Sequence, residues 1–206
     1  MKIAFGYIYG RQERLKNTDY PEEMFYGYHY FLKKYGSVEI IEYGVAKFKI
    51  FKSIEKVIIK ITKLPIHIFH MTSFKNLNLI MKLDYLVLTN DRLLFSLLPL
   101  LLIRKIFKKN LNLTVFAMNM LKEEDLNSKN YLKNFILNKA YSLVNNFIFL
   151  GEGESNLAKQ FYKSDEKIKF IPFYVDESFW ENKFNHERDG ILFVGNDSNR
   201  EFKKVV

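Results

Sequence analysis

The sequence has no cysteine among its 206 residues and only four histidines. The lack of cysteine excludes disulfides, thiolate nucleophiles and cysteine-ligated zinc, and it is typical of a reducing compartment. His67 and His70 stand three apart in PIHIFH, which is no zinc-ligand spacing, and the acidic residues 123–125 indicate a helix start or an exposed loop. We therefore expect no metal site, and we expect these two histidines to be core or surface residues.

The chain also lacks a long apolar run and a leader-like start. The longest apolar run, Leu93 to Ile103, contains Ser96 and Pro99 and is shorter than the roughly 20 residues that a bilayer requires. The first ten residues, MKIAFGYIYG, hold one lysine and no small-residue cleavage site, so they predict a strand and not a signal peptide. The default localisation is cytoplasmic.

Common catalytic motifs are missing from the sequence as well. It contains no G-x-G-x-x-G, no P-loop, no G-x-S-x-G and no Cys/His pair. The sequence does have an excess of basic residues: 32 Lys and Arg against 23 Asp and Glu give a net charge of +9. A codon bias towards Lys, Asn, Ile and Phe explains this excess as well as a basic function does.

Strand-like and helix-like segments alternate along the chain. The apolar runs predict strands over 2–9, 38–43, 66–69, 84–88, 111–117, 147–150 and 168–171, and helical spacing predicts helices over 22–35, 48–64, 91–109, 131–144 and 154–162. This alternation predicts a doubly wound, Rossmann-like α/β fold with a mainly parallel sheet.

The domain organisation follows from one change in composition. Residues 1–180 form the α/β domain, and residues 181–190 are polar, lack apolar periodicity and predict a linker. Residues 191–206 then begin a new strand, a turn at Gly195 and a helix from Arg200. We expect this last segment to be the start of an incomplete second domain.

The order of these segments is specific. A first strand ending in a glycine loop is followed by DYLVLTN, FIFLGEGESNLAKQF, KIKFIPFYVDESFW and ILFVGNDSNREFKK. The ordered set resembles GT-B glycosyltransferases, in particular the large group related to family 4. The resemblance implies that residues 1–180 are the acceptor-side domain and that 191–206 begin a donor-binding domain. It further implies sugar transfer from a nucleotide sugar to a glycan or lipid-linked acceptor in cell-surface polysaccharide synthesis, without a bound cofactor.

The resemblance also assigns donor-binding residues, namely Gly6, Gly10, Glu152, Gly195, Arg200 and Lys204. Helix N-termini and basic side chains would hold the donor diphosphate. Each residue has a simpler explanation: the glycines serve turns, Glu152 complements a helix N-terminus, and Arg200 and Lys204 lie on a solvated helix face. Because the family's acidic donor segment would lie beyond Val206, we expect residues 1–206 to be a poor catalyst by themselves.

The catalytic position departs from the family pattern. Family 4 enzymes often carry a histidine after the strand that reads LTVFAMN here, whereas this chain has Met118 and Asn119. Asn119 is the one catalytic candidate, since its amide can hydrogen-bond a sugar hydroxyl. An amide is no base, so the role of this position stays open.

The helix over 48–64 is amphipathic and cationic. Lys52, Lys56 and Lys60 stand one turn apart, an arrangement that suits an anionic membrane surface and equally an ordinary solvated face. The rival function is therefore a non-catalytic basic module that binds a membrane or nucleic acid. Because the aromatic residues fall on apolar periodic positions and do not alternate with arginine, we expect no nucleic-acid partner.

Overall fold

One sheet of six strands forms the centre of the protein, and every pair of neighbouring strands in it runs parallel. The structure is a computed structural model and describes residues 1–8, 10–17, 19–44, 49–107, 110–118 and 120–180. The strands are β1 (Ile3–Tyr7), β2 (Glu39–Glu42), β3 (Tyr85–Leu88), β4 (Asn112–Ala117), β5 (Asn146–Phe149) and β6 (Ile168–Phe170). Their order is β2-β1-β3-β4-β5-β6, which confirms the predicted Rossmann-like α/β fold.

Helices connect the strands. They are α1 (Arg11–Arg14), α2 (Tyr28–Tyr35), α3 (Lys49–Thr62), α4 (Ile68–Met71), α5 (Phe74–Lys82), α6 (Asp91–Phe107), α7 (Tyr131–Leu143) and α8 (Glu152–Tyr162), with 3-10 turns at Glu22–Phe25 and Glu123–Asn127. The sheet separates two apolar clusters, because successive side chains of a strand point to opposite faces. Phe5 packs on the face of α2, whereas Ala4 and Leu88 join the larger cluster on the face of α6 and α7.

The direction of strand addition reverses between β1 and β3. The connection from β1 leads to β2 at one edge of the sheet, whereas β3 to β6 follow one another towards the other edge. In doubly wound sheets, ligands bind at such a reversal, in the crevice outside the carboxyl ends of the strands. The residues that follow β1 and β3 are therefore the first candidates for a ligand-binding site.

The predicted helix over 22–35 is interrupted. It consists of the 3-10 turn Glu22–Phe25 and of α2, with Tyr26 (φ 53°) and Gly27 (φ 84°) in the left-handed region between them. Left-handed residues cannot continue a right-handed helix, so the chain changes direction there.

The predicted strand over 66–69 is wrong, and three helices, α1, α4 and α5, were not predicted. Residues 65–67 have no regular secondary structure, and α4 begins at Ile68. The helix α5 follows at once, and its N-cap Ser73 accepts a hydrogen bond from the backbone N–H of Asn76. A short apolar run does not distinguish a strand from a buried helical turn, which explains the error.

Residues 171–180, which hold the crossover-like motif, reach back to the 3-10 turn Glu22–Phe25. The Asp176 N–H and the indole N–H of Trp180 donate to the Glu23 carboxylate at 3.0 and 2.7 Å. Because the Tyr7 hydroxyl donates to the Phe25 carbonyl at 2.8 Å, this turn lies beside the end of β1. The described chain thus ends near the carboxyl edge of the sheet, and the predicted linker (181–190) and second domain (191–206) lie outside the described residues.

No helix in the described part of the chain has the length and apolar character needed to cross a membrane. The longest of them, α6, contains Pro99 and has the basic residues Arg104 and Lys105 in its last turn. The apolar run at 93–103 lies within this helix, and most of it is buried in the larger core cluster.

Candidate functional site at the carboxyl edge of the sheet

A basic and an acidic residue follow the two strands at the β1/β3 reversal. Arg11 follows β1 at the start of α1, and Asp91 follows β3 as the first residue of α6. Since β1 and β3 are neighbours, both residues lie at the same edge of the sheet. Neither was assigned a functional role from the sequence.

The glycine loop after β1 is closed by a carboxylate of the protein itself. Gly10 has a φ of 88° and turns the chain into α1. The backbone N–H groups of Arg11 and Gln12 then donate to Glu42 Oε1, at 2.7 and 2.9 Å. Because Glu42 occupies these two amides, the loop would bind an anion through the side chain of Arg11.

Gly6 lies within β1 and not in the loop. A Cβ atom there would stand 2.6 Å from Cδ2 of the buried Leu88, so the residue permits close packing between β1 and β3. Its carbonyl accepts hydrogen bonds from the hydroxyl and the backbone N–H of Thr89, at 2.8 and 3.1 Å. The structure thus gives Gly6 a packing role, and its predicted part in donor binding stays a prediction.

The side chain of Arg11 is half-buried beside the phenol groups of Tyr7 and Tyr26. Burial lowers the pKa of Arg11, and the nearby charge of Arg14 lowers it further. Its Nη1 atom is buried and has no hydrogen-bond partner among the described residues. A buried donor without a partner costs about 1–3 kcal/mol, more when charged, so an anion that accepts from Nη1 would be favoured.

Asp91 is 5% exposed, and burial raises the pKa of its carboxyl to about 6. The charge of Glu154 raises it as well, while hydrogen bonds from its own backbone N–H and from that of Met118 oppose the shift. A carboxyl that titrates close to neutral pH can accept and return a proton under ordinary conditions. Asp91 therefore has the properties of a general base.

A pocket of about 500 Å³ opens between the first turns of α8 and the 3-10 turn Glu123–Asn127. Lys122, Glu123, Gly153 and Glu154 are among the residues that line it. Glu154, which lines the pocket, is also one of the charges that raise the pKa of Asp91, whereas Asp91 itself does not line the pocket. The predicted Glu152 is exposed as the first residue of α8 and does not line this pocket.

Two further pockets in the described residues lie at the opposite edge of the sheet. One of about 410 Å³ is lined in part by Lys2, Glu39 and Lys82, and one of about 190 Å³ in part by Arg104, Leu111 and Asn145. These residues lie near the amino ends of the strands, where doubly wound sheets do not usually bind ligands. Both pockets are therefore weaker candidates for an active site than the crevice.

The remaining predicted site residues lie outside the described residues. They are Asn119, Gly195, Arg200 and Lys204. Of the predicted set, the structure places Gly10 and Glu152 at the carboxyl edge of the sheet and Gly6 one residue before the end of β1. A sequence signal for Arg11 and Asp91 did exist, because both directly follow the loops after apolar strands.

The helix α3 presents lysine and apolar side chains outwards together. Lys52, Lys56 and Lys60 are exposed, as expected. Its apolar side chains are only partly covered: Ile50, Ile54, Val57 and Ile61 are between 42 and 65% exposed, whereas Ile58 packs against the larger core cluster. The helix instead turns Glu55 inwards, to 3% exposure, between His67 and His70.

The exposed apolar stripe of α3 continues onto α7. The side-chain amide of Asn130, the N-cap of α7, donates to the carbonyl of Ile61 at 3.0 Å. Tyr131 and Phe135, in the first two turns of α7, are 86 and 58% exposed. We call the exposed residues Ile54, Val57, Ile61, Tyr131 and Phe135 of these two contacting helices the α3/α7 surface.

Comparisons of the chain with protein-family models, with curated proteins and with solved structures find no match. The observed architecture is a doubly wound α/β domain with a six-stranded parallel sheet. The candidate site and the sequence resemblance are therefore the basis for a proposed function.

Proposed function

We propose that this chain is the acceptor-side domain of a GT-B glycosyltransferase that takes a sugar from a nucleotide-sugar donor. The acceptor is a glycan or a lipid-linked sugar of cell-surface polysaccharide synthesis. One observation supports the proposal most: the two neighbouring strands at the β1/β3 reversal are followed by Arg11, with a buried unpaired nitrogen, and by Asp91, a buried carboxyl with a raised pKa. The motif order of the sequence supports the same class of enzyme.

The two residues would serve different parts of the reaction. The guanidinium of Arg11 is a fork of donors that suits the oxygens of a diphosphate, where negative charge grows as the sugar leaves. The carboxylate of Asp91 would take the proton of the acceptor hydroxyl as that oxygen bonds to the sugar carbon. The diphosphate then departs with the electrons of the broken bond, and the transfer requires no cofactor.

The path of residues 171–180 supports a two-domain arrangement. In GT-B enzymes, a crossover segment leads from the last strand of the first domain to a second domain that faces the carboxyl edge. Here Asp176 and Trp180 contact Glu23, next to the end of β1. Residues that follow Trp180 would thus start from the side of the molecule where the donor is proposed to bind.

Replacing Arg11 by Gln is expected to weaken the binding of uridine diphosphate at least about tenfold, because a charge-assisted hydrogen bond contributes roughly 1.5–3 kcal/mol. We expect wild-type affinity to be in the roughly millimolar range at low salt, since much of a GT-B donor site belongs to the second domain. The fluorescence of Trp180, the single tryptophan, can follow the titration.

The matched control is Lys16→Gln, which removes the same charge at an exposed position shortly after α1. It should leave the affinity within about twofold, because an exposed charge acts on the nucleotide through water, whose high dielectric constant weakens the interaction. Equal weakening by both variants would show a general charge effect. That result, or no uridine diphosphate binding by the wild type, would count against the proposed donor site.

We further propose that the α3/α7 surface rests on an anionic membrane, so that the domain works at the cytoplasmic face of the membrane. Exposed isoleucine, valine and aromatic side chains can enter the headgroup region, and Lys52, Lys56 and Lys60 lie along one side of them. This combination favours a lipid surface over nucleic acid, whose phosphates give an exposed apolar stripe nothing to bind. A lipid-linked acceptor would be presented at such a surface.

Changing Lys52, Lys56 and Lys60 together to Gln is expected to lower the affinity for vesicles of phosphatidylcholine and phosphatidylglycerol about a hundredfold. The estimate follows from roughly 1 kcal/mol per lysine at an anionic surface. Vesicle co-sedimentation measures the effect. The control variant changes Lys16, Lys33 and Lys75, three exposed lysines on other elements, and should lose much less.

A second pair of outcomes separates the rival functions. Val57→Ser with Ile61→Ser should also weaken vesicle binding, because the apolar contribution is lost without a change in charge. Equal binding to neutral and anionic vesicles would contradict the proposed lipid contact. Vesicle binding without any nucleotide binding would favour the non-catalytic membrane module, and tight salt-dependent binding of nucleic acid would favour the nucleic-acid module.

A further inference from the structure

We propose that Glu55, His67 and His70 bind a divalent transition-metal ion, with zinc as the best fit. The residues belong to α3, to the segment before α4 and to α4 itself. Each offers one ligand atom, and these atoms all lie within 4.8 Å of one another. The site is separate from the β1/β3 crevice, and metal binding there does not depend on the proposed glycosyltransferase function.

The hydrogen bonds of His70 determine which of its ring nitrogens faces Glu55 with a lone pair. Its Nδ1 atom lies 2.6 Å from the carbonyl oxygen of Gly44, which can only accept, so Nδ1 carries a proton. In the neutral ring Nε2 then presents a lone pair, 3.3 Å from Oε2 of the Glu55 carboxylate. Two acceptors at this distance require a positive charge between them, either a proton or a metal ion. A donating Nδ1 on a backbone carbonyl is also the usual support of a histidine that ligates through Nε2.

The distances from the Glu55 carboxylate to the two histidine nitrogens match those of a tetrahedral zinc site. Glu55 Oε2 lies 3.3 Å from His67 Nδ1 and 3.3 Å from His70 Nε2. In a tetrahedral zinc site, bonds of about 2.0–2.2 Å place neighbouring ligand atoms about 3.4 Å apart. The carboxylate oxygen thus lies at the spacing of such a site from each of the two ring nitrogens, and the nitrogens lie within 4.8 Å of each other. The fourth corner would be open to water or to a further ligand.

The surroundings hold the three ligands in place. The other Glu55 oxygen, Oε1, accepts a hydrogen bond from the backbone N–H of Phe69 at 2.8 Å. The backbone N–H of His67 donates to the Ser96 hydroxyl at 3.0 Å. The Tyr43 ring stacks on His70, with ring centres 4.6 Å apart. Contacts of this kind orient the first ligands in metal proteins, and their loss commonly costs about 10–100-fold in metal affinity.

The ligand types select the class of metal. Two imidazoles and one carboxylate suit zinc, cobalt, nickel and iron(II), whereas magnesium and calcium prefer sites made of oxygen alone. The Glu55 side chain is 4% exposed and the His67 side chain 24%, so an ion would reach the site from the histidine side. The bound ion would tie α3 to α4, and metal binding would stabilise the folded chain.

The test uses the full chain after treatment with a chelator. Cobalt(II) is added to record the visible bands of tetrahedral coordination, and zinc binding is measured by calorimetry. We expect one site per chain, a rise in melting temperature with zinc, and a loss of affinity of about a hundredfold or more in His67→Ala and in His70→Ala.

The controls are the other two histidines. His29→Gln and His186→Gln should each leave zinc affinity within about twofold, since neither belongs to the proposed site. Circular dichroism of every variant without metal checks that it folds, and Glu55→Gln serves as the third ligand variant. No zinc binding by the folded wild type would show that a proton alone bridges Glu55 and His70. That result, or binding that survives both His67→Ala and His70→Ala, would overturn the proposal.

Discussion

Replacing Asp91 by Asn is expected to raise the free energy of unfolding by roughly 3 kcal/mol at pH 7.5, because an ionised carboxylate is expensive to bury. Burial raises the pKa of Asp91 to about 6 in the folded chain, and the pKa returns to about 3.9 on unfolding. A difference of this size between the two states corresponds to roughly 3 kcal/mol at pH values above both.

The pH dependence has a definite sign. The folded protein holds a proton on Asp91 that the unfolded chain has already released between about pH 4 and pH 6. The stability that this proton contributes is therefore fully present below about pH 4 and is lost as the pH rises through about 6. The side-chain amide of the Asp91→Asn variant stays neutral, so the difference between variant and wild type should disappear near pH 4.

Urea unfolding at pH 4.5, 6 and 7.5 measures this effect, with Asp165→Asn as the control. Asp165 is exposed, and its replacement should change stability little at any of the three pH values. A wild type that is as stable as the Asp91→Asn variant at pH 7.5 would contradict the buried, raised-pKa state of Asp91.

Replacing Arg104 by Met is expected to lower the free energy of unfolding by about 3 kcal/mol or more. The Arg104 side chain is buried and donates to the carbonyls of Ile80, Leu83 and Asn110. These carbonyls belong to the end of α5, the approach to β3 and the approach to β4. The variant would leave all three buried or half-buried acceptors without this donor.

Equilibrium unfolding in urea measures the loss, and Lys105→Met is the matched control. Lys105 is the next residue of α6 and is exposed, so its change should cost less than about 0.5 kcal/mol. A loss below about 1 kcal/mol in Arg104→Met would show that the three carbonyls find other donors, and it would contradict the joining role assigned to Arg104.

Apolar pattern was sufficient to predict the strands of the sheet and the fold class. The buried run at Tyr85–Leu88 and the runs of the other strands read as members of a parallel sheet, because strands covered on both faces have few polar residues. The order of the strands could not be obtained in this way. Hence the reversal between β1 and β3, which positions Arg11 and Asp91, became visible only in the fold.

The orientation of α3 could not be predicted from the helix alone. Its apolar residues have the helical spacing typical of a core-facing stripe, yet Ile50, Ile54, Val57 and Ile61 are between 42 and 65% exposed. The structure instead buries Glu55, because the two histidines and the Phe69 N–H satisfy its carboxylate. Such compensation depends on residues 12 to 15 positions away, which periodicity within the helix cannot reveal.

The candidate site was only partly predictable for a similar reason. The sequence pointed to the loops at the carboxyl ends of the strands, and Gly10 and Glu152 do lie there. It gave no sign that Glu42 would occupy the amides after Gly10, because β1 and β2 meet only through sheet pairing. The raised pKa of Asp91 likewise depends on burial between elements that are distant in the chain.

The most direct test of the proposed donor site is a titration of nitrogen-15-labelled protein with uridine diphosphate, followed by the backbone amide spectrum. If the β1/β3 crevice binds the diphosphate, the amides of residues 10–12 and 89–92 will shift most, and Arg11→Gln will suppress those shifts. Shifts confined to the pocket around Lys2 and Lys82 at the amino edge, or no shifts at millimolar nucleotide, would contradict binding at the crevice.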